Sequence, residues 1–96
     1  MSNANIIKMP KRFDYSASAQ FNAVFAESLA GVSSDDKTIL LDCMGMDYID
    51  SAGIGLLVMS HKKAKVANTK IALINLKSQA KEILQLANLQ KLIEIR

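Results

Sequence analysis

The spacing of apolar positions changes repeatedly along the chain, and each change predicts an element. Ile6-Ile7 is a short apolar start that Pro10 interrupts. From about Ser16 to Ala30, Phe21, Val24, Phe25 and Leu29 recur at helical spacing, and Gly31 follows as a C-terminal stop. Ser33-Ser34-Asp35-Asp36 reads as a loop, and Thr38-Ile-Leu-Leu-Asp42 as a short strand buried on both faces. A glycine-punctuated loop then leads to Asp50-Ser51 and a helix from Ala52 to about Ala67, ended by Asn68-Thr69. Lys70-Ile-Ala-Leu-Ile-Asn75 is a second buried strand. Ser78 is placed to cap a helix carrying Ile83, Leu84 and Ala87 that Asn88 ends, and Lys91 to Ile95 is a last, edge-like strand. Strand, helix, strand, helix, strand with short connections makes two βαβ units, so the strands are expected to be largely parallel with right-handed crossovers. The predicted class is α/β.

On a helical wheel, Gly53, Leu56, Leu57, Ser60, Ala64 and Ala67 share one side of the helix after Ser51. That face is small and apolar, suited to lying close on a sheet. Ile54 and Val58 fall off it, beside His61, Lys62 and Lys65. Two readings stay open for this pair: a partner-binding surface, or packing under the Met44–Tyr48 loop.

Composition narrows the function classes. At 96 residues the chain is expected to form a single domain, 1–96, and at 50% hydrophobic and 22% charged it is not expected to be disordered. The longest stretch without charged or strongly polar residues, Ala52 to Met59, is too short to cross a bilayer, and the first residues lack the apolar core of a signal peptide. These features predict a cytoplasmic protein without membrane insertion. The lone Cys43 makes neither an internal disulfide nor a zinc site. Net charge is +3, but the basic residues are dispersed and lack interleaved stacking aromatics, which argues against nucleic acid as a partner.

The densest chemistry lies between Leu41 and Gly55. Asp42, Asp47 and Asp50 are the kind of carboxylates that acid catalysis or a metal site would use, yet no histidine or glutamate accompanies them, and turn and capping roles explain them equally well. No metal, cofactor or catalytic residue is therefore assigned. Gly53-Ile-Gly55 lacks the third glycine of a dinucleotide fingerprint and the Lys-Ser/Thr of a phosphate loop. Close backbone approach at the helix start explains both glycines better. His61, with no nucleophile nearby, reads as a solvated surface residue. Ser51 has two readings: a helix N-cap, or an exposed hydroxyl that accepts a phosphoryl group at a helix N-terminus.

Tyr48-Ile-Asp-Ser-Ala-Gly-Ile-Gly55, preceded by Ile39-Leu-Leu-Asp42, resembles the signature of the STAS family, the bacterial anti-sigma factor antagonists. Arg12-Phe-Asp14 is similar to the family's Gly-Arg-Leu-Asp segment, and Leu86-Ala-Asn-Leu-Gln-Lys-Leu92 to its Leu-x-Gly-Leu ending. The resemblance covers nearly the whole chain in order. It implies a small mixed, mostly parallel sheet of four to five strands flanked by three to four helices. It also implies a non-enzymatic partner-switching role. The serine matching Ser51 is phosphorylated by a kinase that often doubles as the anti-sigma factor, and a PPM-type serine phosphatase removes the phosphate. Only the unmodified form binds, as a monomer or weak dimer, and the partner-binding set is expected to be Asp50, Ser51, Ile54 and Val58. Asp14 and Asp42 are matched positions expected to orient loops.

Three departures stand out. Ala52 replaces the Ser or Thr that often follows the acceptor, leaving Ser51 alone there. Gly45 stands where Ser or Gly is common. The usual opening two-strand hairpin is squeezed into about a dozen residues, which predicts one strand lost or short. Two rivals come from other classes. Asp42-Cys-Met-Gly-Met-Asp47 looks like the phospho-aspartate segment of response-regulator receivers, but the chain start offers no acidic pair for magnesium. STAS subunits also dock on ABC-type lipid transporters, a role in which the serine is no switch. Weak nucleotide binding is sometimes associated with the family, and no residue here demands it.

Overall fold

The computed structural model describes residues 5–32 and 37–96. The Ser33–Asp36 loop lies outside the described residues. Strands β1 (Ile6–Lys8), β3 (Thr38–Asp42), β5 (Lys70–Ile74) and β6 (Glu94–Ile95) form one sheet in the order β1-β3-β5-β6, with every pairing parallel. A separate parallel ribbon joins β2 (Arg12–Phe13) to β4 (Tyr48–Ile49), with Arg12 opposite Tyr48 and Phe13 opposite Ile49. The helices are α1 (Ser18–Ala30), α2 (Ser51–Val66) and α3 (Ser78–Leu86), with short 3-10 turns at Tyr15–Ala17 and Leu89–Lys91. The compressed start of the chain thus yields two short strands in different sheets, rather than a hairpin.

Register explains where the core sits. Ile7, Leu41 and Leu73 lie side by side across the sheet, as do Ile39 and Ile71, and all five are buried. They share one parity, so they share one face. Right-handed crossovers in this strand order place the helices over that face. There Phe13, Phe21, Phe25, Leu57, Ala64, Leu84, Leu89 and Ile93 complete a single cluster. Phe13 meets Phe21 edge-on with centroids 4.9 Å apart, which ties the ribbon to α1. The opposite face is less covered: Ile6 is 39% exposed and Leu40 half-buried. Both β3 and β5 are interior strands, yet burial on both faces holds only for β5, where Ala72 is buried on the side opposite Ile71 and Leu73. Around α1, Val24 and Tyr15 are exposed, leaving Phe21 and Phe25 as the buried positions.

Asparagines set several boundaries. Asn68, Asn75 and Asn88 have φ of 56°, 60° and 58°, a left-handed conformation that asparagine tolerates better than most residues. After α2, the Asn68 N–H donates to Lys65 O (3.0 Å) and the Thr69 N–H to Ala64 O (2.8 Å), the paired bonds of a Schellman stop. The last strand is shorter than its apolar run because Leu89–Lys91 coils first. Leu89 and Ile93 are buried, while Leu92 between them is exposed.

Candidate functional site

The site is built where β4 runs into α2. Asp50 is extended (φ −126°, ψ −170°), and its Oδ1 accepts the Gly53 N–H at 3.0 Å while its carbonyl accepts the Ile54 N–H at 2.9 Å. Asp50 is therefore the N-cap. This corrects the capping reading of Ser51, which is the first helical residue instead. Ser51 is exposed, and its hydroxyl makes no hydrogen bond to any described residue. The backbone N–H groups of Ser51 and Ala52 precede the first intrahelical bond, so the positive end of the helix dipole faces solvent beside that hydroxyl. Ser78 likewise stands one position inside α3, after Lys77, and does not cap it.

The two glycines of Gly53-Ile-Gly55 have unlike environments. A Cβ on Gly53 would lie 2.1 Å from the Phe13 carbonyl oxygen and 2.9 Å from Ile49 Cγ1. The helix start is pressed directly onto the β2–β4 ribbon, and only glycine fits. A Cβ on Gly55 would meet nothing within 4 Å, which corrects the expectation that this glycine also serves close approach. On the inward side, Leu57, Ser60 and Ala64 are buried, and the Ser60 hydroxyl donates to Leu56 O at 2.8 Å. Leu56 is half-buried, and Ala67 is exposed because the stop turns it outward. Ile54 and Val58 are half-buried, packed against the core cluster yet partly open to solvent. His61 is half-buried rather than fully solvated.

The three aspartates of the Leu41–Gly55 segment are each engaged separately. Asn75 Nδ2 donates to Asp42 Oδ1 at 2.9 Å and the Met44 N–H donates to it at 3.1 Å. The Asn75 bond, then the Met44 bond, hold the Asp42 carboxyl below its ordinary value. Asp47 is paired with Lys77, and with Lys11 at 3.9 Å, and both lysines hold its carboxyl low, Lys77 most strongly. Asp50 holds the cap. No group of three or more His, Cys, Asp or Glu among the described residues could hold a metal ion. Asp14 caps the 3-10 turn by accepting the Ser16 N–H at 3.0 Å, so Asp14 and Asp42 both order loops. Cys43 is buried with its thiol pushed up to about 12, first by desolvation and then by the Asp42 charge.

Contacts between distant segments complete the rim. Arg12 lies over the Tyr48 ring at 4.3 Å and bridges to Asp14 at 3.3 Å. This stack, the Lys77–Asp47 pair and the Asn75–Asp42 bond carry no local sequence signal, since each depends on which strands become neighbours.

No helix among the described residues is long and apolar enough to cross a membrane. Comparison with known proteins gives a consistent picture. A STAS-domain containing protein of Pseudomonas aeruginosa is 26% identical over 93% of this chain and 84% of its own. The crystal structure of TM1081 from Thermotoga maritima superposes with a TM-score of 0.76 at 20% identity, covering 95% of this chain and 78% of that one. The unphosphorylated form of the anti-sigma factor antagonist SpoIIAA gives 0.74 at 18% identity, over 95% and 77%. These structures share the fold, and the STAS domain model matches residues 2–96. The chain belongs to the STAS domain family.

Proposed function

We propose that this domain is a non-enzymatic partner-switching module of the anti-sigma factor antagonist type, acting in the cytoplasm and switched by phosphorylation of Ser51. One observation carries the reading: Asp50 takes the capping role, so the exposed Ser51 hydroxyl is left without a structural task. A serine kinase that doubles as the anti-sigma factor supplies the phosphate from ATP. Ser51 Oγ attacks the γ-phosphorus, the new O–P bond replaces the bond to the β-phosphate oxygen, ADP departs, and the hydroxyl proton passes to a base of the kinase. A PPM-type phosphatase hydrolyses the ester.

The switch works through charge. Phosphoserine carries about −1.5 to −2 at neutral pH. The free N–H groups at the start of α2 accommodate it in the isolated domain. In a complex it must be desolvated next to Asp50, and a loss of about 3 kcal/mol weakens binding roughly a hundredfold. The partner surface comprises Asp50, Ser51, Ile54 and Val58, the last two offering the exposed part of half-buried aliphatic side chains.

Calorimetry against the kinase tests this. Wild type and Ser51→Ala bind, Ser51→Asp binds poorly, and all three keep the fold. Equal affinity of the Ala and Asp variants refutes the switch and favours a docking subunit of an ABC-type lipid transporter. Val58→Glu weakens binding with the fold retained, whereas a loss of several kcal/mol in stability assigns Val58 to the core.

A further inference from the structure

No contact among the described residues calls for glycine at position 55. Its backbone φ is not positive, and a Cβ there would touch nothing within 4 Å. Glycine in a helix is nonetheless among the least favourable residues, so any other small residue would make α2 more stable. Neither helix stability nor a contact within the described residues accounts for glycine here.

Its place on α2 puts it beside the candidate phosphoacceptor. Gly55 is one turn after Ser51, on the same exposed strip, with half-exposed Met59 a turn further on. Side chains on a helix lean toward its N-terminus, so a residue covers the turn before its own Cα. A side chain at position 55 would therefore lean over Ser51. The buried Gly53 cannot play this part, since it faces Phe13 and Ile49.

We propose that Gly55 is a specificity-determining position for the reaction at Ser51: its missing side chain leaves the approach to the hydroxyl open to the active-site cleft of a serine protein kinase carrying ATP. This rests on the reading of Ser51 as phosphoacceptor. In the transfer described above, Oγ must come in line with the γ-phosphorus, and displacement of about 1 Å at such a centre lowers the rate by up to a hundredfold.

The test uses the full-length protein and an extract of its native cells supplied with radiolabelled ATP, with Ser51→Ala setting the background. Initial rates of phosphate incorporation are compared for wild type, Gly55→Ala and Gly55→Leu, alongside their thermal melts. Gly55→Ala is expected to melt about 4–8 °C higher and to be labelled about twofold to threefold more slowly. Gly55→Leu is expected to stay folded and to be labelled at least about tenfold more slowly. Wild-type labelling rates in both variants overturn the proposal, as does a lower melting temperature for Gly55→Ala, which would make the glycine structural. Wild type that takes no label at Ser51 refutes the phosphoacceptor reading itself, a separate and recognisable failure.

Discussion

The inward and outward sides of α2 are built from similar small residues yet answer to different constraints. Inward, Gly53, Leu57, Ser60 and Ala64 are buried, and a single methyl group at Gly53 would collide with backbone. Outward, Ser51 and Gly55 are exposed, and a Cβ added at Gly55 would meet nothing within 4 Å among the described residues. The contrast teaches that residue type alone does not reveal a structural role. Two glycines separated by one isoleucine differ because a 100° helical step turns successive residues to different neighbours.

Breaking the inward side gives the largest effect. Gly53→Ala must push α2 off the β2–β4 ribbon, and chemical denaturation should show a loss of about 4 kcal/mol or more, leaving little folded protein. Leu57→Ala leaves a cavity in the core cluster and should lower stability by about 2–5 kcal/mol, measured the same way. Asp50→Ala, at the boundary between the two sides, removes the cap and should lower stability by about 1 kcal/mol. If Asp50→Ala loses as much as Leu57→Ala, the two sides of the helix are not separable.

The smallest effect sharpens the comparison by titrating the loop that leads to the helix. Asp42 titrates below its ordinary 3.8 because Asn75 and Met44 donate to the ionised form. A carboxyl with a lowered folded pKa adds stability above its unfolded value, and that stability is lost as pH falls through the folded value. Asn75→Gly keeps the left-handed backbone and removes the donor. Wild type should exceed it in stability at neutral pH, with the gap narrowing as pH drops below about 4. A gap that does not change with pH would sink the assignment.

Much of this was legible in the chain. Most elements followed from period changes, α2 stopped just before Asn68 as that residue predicted, and the Asp50-Ser51 junction was visible as a helix start. What stayed hidden is what depends on long-range pairing. Aspartate and serine are equally good caps, so a one-residue choice rested on the backbone of Asp50. The ribbon's two-residue strands are too short to show any period, and the ribbon is what makes Gly53 indispensable. The strand expected over Lys91 to Ile95 narrowed to Glu94–Ile95 because the turn at Leu89–Lys91 runs into its start, which the Leu92-Ile93-Glu94-Ile95 pattern does not display.

The burial of Cys43 makes it a built-in clock for the segment that carries the switch. With its thiol at about 12, almost none is thiolate at neutral pH, so alkylating agents meet an unreactive group while the domain stays closed. Opening restores an ordinary thiol, and the alkylation rate then counts excursions of the stretch just ahead of Asp50. A single mass shift, followed over time with and without phosphate on Ser51, would report whether modification loosens this end of the sheet or leaves its breathing untouched.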